Sequence, residues 1–158
     1  MTSEIICAGF GGQGVLLMGQ IVAYAGMIEG KNVSWLPSYG PEMRGGTANC
    51  CVIVSDDPVG SPVVTEADAV IVMNKPSLDK YESALKPGGT LFINASLIDK
   101  KATRSDVTVH YVPANEIAAE VGNSRVANIV MLGAFITSSG VVSKESVVKA
   151  VEYVLGKG

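Results

Sequence analysis

Apolar positions in this chain follow two alternating rhythms. Ile5-Ile6-Cys7-Ala8 is a short run that stops at a cluster of glycines, and Val15–Glu29 is a longer segment that is apolar nearly all round. The first reads as a buried strand, the second as a helix covered on more than one side. Gly30 closes that helix, and Asn32–Leu36 predicts the second strand. A ten-residue loop, Pro37–Gly46, leads to a third strand over Thr47–Val54. The loop is too short for a parallel crossover, so the third strand is expected to run antiparallel. Ala69–Met73 predicts a fully buried strand. Asn74-Lys75-Pro76 opens a helix through Leu85 with Asn74 as its cap, and Lys86-Pro87-Gly88-Gly89 stops it. Thr90–Asn94 and Val107–Tyr111 predict two more strands. Helices follow over Pro113–Val121, Val126–Ser139 and Ser143–Leu155, the last capped by Ser143. The pattern predicts an α/β fold: a doubly wound, Rossmann-like mixed sheet, mostly parallel, with helices on both faces, in a single domain over residues 1–158.

The turn between the first strand and helix, Gly9-Phe10-Gly11-Gly12-Gln13-Gly14, satisfies G-x-G-x-x-G in the strand-then-helix setting that this fingerprint needs. Glycine permits positive φ and close backbone approach, and the helix start offers free N–H groups to an anion. A dinucleotide site also needs a carboxylate at the tip of the second strand. Here that strand runs into Pro37-Ser38, and Glu29 lies before it. The turn is therefore either structural or a holder of part of some other phosphate-bearing molecule.

Ligands of α/β sheets collect at the carboxyl ends of the strands. Two further stretches are expected there: the Ser38–Gly46 loop, with Tyr39, Glu42 and Arg44, and Asn74-Lys75-Pro76-Ser77. Arg44 followed by Gly45-Gly46 has little bulk around its guanidinium, which suits a phosphate or carboxylate. An ordinary solvated connection explains the loop equally well. Asn123-Ser124-Arg125 and Asn128 form another polar cluster at the entry of an apolar helix, where capping or ligand binding are both open.

Composition narrows the function. Of 158 residues, 47% are hydrophobic and 17% charged, an apolar excess that needs a large core or a partner surface. No run reaches the roughly 18–20 residues of a membrane span, and the N-terminus has no signal-type core, so a cytoplasmic protein is expected. The net charge of −3 and the lack of basic blocks argue against nucleic acid. Cys7, Cys50 and Cys51 fall in strands without C-x-x-C spacing and read as buried free thiols. The single histidine, His110, lies in an alternating strand and is expected to point outward. No catalytic group or metal cluster assembles from these residues, so the chain looks like a binding or scaffold subunit.

The glycine turn joined to Ser38-Tyr39-Gly40-Pro41-Glu42-Met43-Arg44-Gly45-Gly46-Thr47-Ala48-Asn49-Cys50 resembles the gamma subunit of 2-oxoacid:ferredoxin oxidoreductases. Gly60-Ser61-Pro62, Asn74–Tyr81, Lys86–Gly89 and Gly122–Asn128 continue the likeness nearly end to end. It is closest to the 2-oxoglutarate type, while the pyruvate and branched-chain types share most of the pattern. The resemblance implies a complex that oxidatively decarboxylates a 2-oxoacid on thiamine diphosphate and magnesium. Such a complex passes electrons through iron–sulfur clusters to ferredoxin and releases an acyl-CoA. This chain has neither a Gly-Asp-Gly…Asn element nor cluster cysteines, so those cofactors are expected on alpha, beta and delta partner subunits. The chain itself is expected to be inactive alone, with coenzyme A as the ligand to which it contributes. The residues expected at that ligand are Gly9, Gly11, Gly12, Gln13, Gly14, Arg44, Gly45 and Gly46. Family members carry a further stretch after the final helix, whereas this sequence ends at Gly158. The alternative is a stand-alone dinucleotide-binding regulatory domain; a subunit with a purely structural role differs from the first reading only at the loops.

Overall fold

The computed structural model describes residues 2–10, 14–39, 47–60, 64, 66–122 and 126–155. Their order is β1 (Thr2–Phe10), α1 (Val15–Ile28), β2 (Asn32–Tyr39), β3 (Thr47–Ser55), β4 (Ala67–Val72), α2 (Lys75–Tyr81), β5 (Leu85–Asn94), β6 (Thr108–Val112), α3 (Ala114–Glu120), α4 (Ala127–Ser139) and α5 (Lys144–Leu155). The strands form one mixed sheet in the order β2-β3-β1-β4-β5-β6. β3 runs antiparallel to both its neighbours, and the β1–β4, β4–β5 and β5–β6 pairs are parallel. No helix among the described residues is long and apolar enough to cross a membrane.

Side chains alternate across the sheet, as the pleat requires. Ile5, Cys7, Cys50, Val52, Ile71 and Phe92 face α1, α4 and α5, whereas Ile6, Ile53, Val70, Val72, Leu91 and Ile93 face the side of α2. α1 lies between the sheet and α5, with Tyr24 and Tyr153 ring centroids 4.7 Å apart. This explains its apolar circumference. It approaches the sheet closely because residue 19 has no side chain: a Cβ there would lie 2.3 Å from Cys50 Sγ. At the far end of α1, Glu29 accepts the Ser143 backbone N–H at 2.6 Å, and the Ser143 hydroxyl caps α5 by accepting Ser146 N–H at 3.1 Å.

The antiparallel third strand and the mixed sheet follow the sequence pattern, and four details differ from it. β2 continues past Leu36 to Tyr39 and includes Pro37, which an edge strand tolerates because one side of its ladder is unpaired. α2 ends at Tyr81, followed by a 3-10 turn over Glu82–Ala84. β5 begins at Leu85, because Leu85 already pairs with Ala67; the ladder then shifts register and resumes at Thr90 against Ala69, so Lys86–Gly89 lie within an irregular strand. Finally, His110 does not point freely outward. Its ring stacks on Phe92 with centroids 5.0 Å apart, and its Nε2 lies 3.2 Å from the Ser138 hydroxyl of α4.

Candidate functional site

The carboxyl edge of β1 is where the sequence motifs converge. Phe10 pairs with Thr47 and Gly9 with Ala48 on β3, while Tyr39 of β2 pairs with that same Ala48. β2 thus ends and β3 begins at the same edge of the sheet where β1 ends. Of the residues expected to bind, Gly9 and Gly14 lie within the described structure. Gly11, Gly12, Gln13, Arg44, Gly45 and Gly46 lie outside the described residues, as do Asn123, Ser124 and Arg125.

Gly14 is the N-cap of α1, with φ 73° in the left-handed region. Its carbonyl accepts the Met18 N–H at 3.0 Å and the Asn128 side-chain N–H at 3.4 Å. A Cβ at position 14 would sit 2.3 Å from Asn128 Nδ2. Glycine is therefore required twice over, by conformation and by contact. Asn128 is buried in the first turn of α4, and its Oδ1 accepts the Ile129 N–H at 3.0 Å. Its side chain fastens α4 to the glycine turn, a long-range tie that sequence spacing could not disclose.

Two further polar groups stand at the same edge. Asn94 ends β5 fully buried, and its amide is used on both sides: Nδ2 donates to Asn115 Oδ1 at 2.8 Å and Oδ1 accepts Ser96 N–H at 3.2 Å. The Ser96 hydroxyl in turn accepts the Asn115 N–H at 3.1 Å and the Glu116 N–H at 3.3 Å, fixing the start of α3. That network is closed and structural. Asn74, after β4, caps α2 as expected by accepting Ser77 N–H at 3.0 Å. The rest of this pair is not closed, since Asn74 Nδ2 and Ser77 Oγ make no hydrogen bond.

The cysteines are free, as expected, and Cys7 and Cys50 are buried opposite each other on β1 and β3. The hydrogen bond between the two thiols raises the Cys7 pKa well above its ordinary value, and burial adds to this. The same bond lowers the Cys50 pKa against the opposing effect of burial, helped by Trp35 and the Gly19 backbone. Cys51, expected to be buried like the other two, is only half-buried because it faces the other side of the sheet, and burial raises its pKa. The three sulfurs thus belong to opposite faces. Among the described residues, no three His, Cys, Asp or Glu side chains cluster as metal ligands.

The family model described as pyruvate ferredoxin/flavodoxin oxidoreductase matches residues 4–158. The 2-oxoglutarate synthase subunit KorC of Methanocaldococcus jannaschii is 38% identical over 161 residues, spanning 100% of this chain and 86% of that protein. The ketoisovalerate oxidoreductase subunit VorA of Methanothermobacter marburgensis is 45% identical over 126 residues, which are 80% of this chain and 26% of the relative. The chain therefore spans about a quarter of that longer protein. Among solved structures, the gamma subunit of a keto/oxoacid ferredoxin oxidoreductase from Geobacter sulfurreducens superposes with a TM-score of 0.82 at 38% identity, covering 96% of this chain and 85% of that one.

Proposed function

This chain belongs to the pyruvate ferredoxin/flavodoxin oxidoreductase family, and on that premise we propose that it serves as the gamma subunit of a cytoplasmic 2-oxoglutarate:ferredoxin oxidoreductase. Its role there is to supply part of the coenzyme A pocket. The complex decarboxylates the 2-oxoacid and delivers acyl-CoA, with thiamine diphosphate, magnesium and iron–sulfur clusters held by alpha, beta and delta partners. The observation that carries the reading is the shared edge: Phe10 opposite Thr47, and Tyr39 opposite Ala48. Residues 11–13 follow one of these strand ends and residues 40–46 join the other two, which supports a reading in which backbone N–H groups and one guanidinium meet the same anionic ligand.

Coenzyme A suits such an edge chemically. Its phosphates match a glycine turn and an arginine, and its pantetheine arm matches neutral hydrogen-bonding side chains. When bound in the complex, it supplies the thiol that accepts the acyl group. This chain's part is to bind and orient it: Gly9 and Gly14 by close backbone approach, Arg44 by charge.

The KorC relative, alike over almost its full length, favours 2-oxoglutarate. The higher identity of the shorter VorA match favours a branched-chain 2-oxoacid as the second reading. The test is anaerobic purification of the assembled complex followed by assays with 2-oxoglutarate, pyruvate and 2-oxoisovalerate. The chain alone is expected to give no turnover, and the complex to prefer 2-oxoglutarate. In the complex, Arg44→Ala is expected to raise the KM for coenzyme A. Purification of the chain without thiamine-bearing partners, together with a stoichiometric NAD complex, would favour a dinucleotide-sensing domain instead.

A further inference from the structure

The sheet reverses its winding beside β1. α1 carries the chain away to β2 and β3 on one side, while β4 and β5 build outward on the other, so the carboxyl ends of β1 and β4 flank a topological switch point. Val72 pairs with Ala8, and the Met73 N–H donates to Ala8 O at 2.9 Å. Asn74 therefore leaves β4 next to the end of β1. Its side chain folds back over the start of α2, at the carboxyl edge.

Asn74 and Ser77 are 3% and 2% exposed. Buried polar atoms are nearly always paired, and one left unpaired destabilises the fold. The Asn94 network at the end of the neighbouring strand β5 obeys that rule completely. At Asn74 only the cap oxygen is used. Capping does not need the amide nitrogen, because serine or aspartate caps equally well. Nor does α2 need the Ser77 hydroxyl, since it is the Ser77 backbone N–H that the cap engages. Two neutral groups, one a donor and one able to donate or accept, are thus surplus to the local fold and closed off from water.

We propose that Asn74 and Ser77 bind an amide of the pantetheine arm of coenzyme A. Asn74 Nδ2 and the Ser77 hydroxyl both donate to the amide carbonyl, whose oxygen has two lone pairs. The inference rests on the placement of coenzyme A at this edge. A neutral amide fits better than a phosphate, because a buried anion needs a compensating charge and neither orphan atom provides one. Both atoms are covered in the isolated chain, which is therefore expected to bind coenzyme A weakly.

The test uses the assembled complex. Asn74→Asp keeps an oxygen to cap α2 and removes the amide donor; it is expected to raise the coenzyme A KM about tenfold with kcat within about twofold. Ser77→Ala is expected to raise that KM about fivefold and also to raise the Tm of the isolated chain, because it deletes an unpaired buried hydroxyl. An unchanged KM in both variants overturns the inference, as does a lowered Tm for Ser77→Ala with unchanged KM. Loss of complex assembly in Ser77→Ala, read by gel filtration, also overturns it by giving the pair to a partner's backbone amide. Arg44→Ala is measured alongside. If it too leaves the coenzyme A KM unchanged, the placement of coenzyme A on this chain fails; if only Arg44→Ala raises it, the Asn74–Ser77 inference alone fails.

Discussion

Asn128 Nδ2 lies 3.4 Å from Gly14 O and occupies the space where any Cβ at position 14 would stand. The start of α4 and the start of α1 are thereby locked, 114 residues apart in sequence. Gly14→Ala is expected to destabilise the chain by about 2 kcal/mol, from the left-handed backbone and the displaced amide together. Asn128→Ala alone should cost about 1 kcal/mol. The double variant should fall short of the sum by more than about 0.5 kcal/mol, because the clash is gone once Asn128 is shortened. Urea denaturation of the four proteins measures the coupling.

Gly19 sets the distance between α1 and the sheet. Gly19→Val forces β-carbon and methyl groups into the space held by Cys50 Sγ and Val52, and is expected to cost about 1–3 kcal/mol. The urea midpoint should drop with an unchanged m value.

Glu29 joins the end of α1 to the start of α5. Burial acts to raise its pKa, but the bond from the Ser143 N–H, the Ser146 and Ser143 hydroxyls and Lys31 together bring it below the ordinary value. A carboxylate held lower in the folded state contributes stability above its unfolded pKa and loses it as pH falls through the folded one. Glu29→Gln is therefore expected to destabilise the chain at neutral pH, by no more than about 1 kcal/mol given solvent screening, and to match the parent below the carboxylate range. Thermal melts from pH 7 downward read this out.

The three thiols should separate by access. Native alkylation is expected to label Cys51 first, since it is half-buried, while Cys7 and Cys50 react only after unfolding. Peptide mapping after timed iodoacetamide treatment checks the order. Fast native labelling of Cys50 would contradict its burial under α1.

Much of the fold was legible because local rules decide it. Gly30 closes α1 in a left-handed conformation, and the stretch between Leu36 and Thr47 is too short for a parallel crossover. Where pairing partners decide, the sequence was silent. β5 begins at Leu85 because Ala67 is there to receive it, not because Lys86-Pro87-Gly88-Gly89 looks like a strand. His110 keeps the alternation expected of it, yet the polar half of its strand meets Phe92 and the end of α4 instead of open solvent. At the candidate site, the motifs named Gly14 and Asn74 correctly as turn and cap. The Gly14–Asn128 lock and the unused atoms of Asn74 and Ser77 depend on what arrives from elsewhere in the chain, and no local pattern encodes that.

The antiparallel β3 has a consequence for how this edge can diversify. Both stems of the loop over residues 40–46 are held in ladders, β2 against β3 and β3 against β1. The chain-closure entropy of a longer connection costs only about 0.6 kcal/mol per doubling of its length. The loop can be lengthened, shortened or rewritten while the six strands keep their registers. Sequence change between the two stems can then leave the scaffold of six strands unaltered.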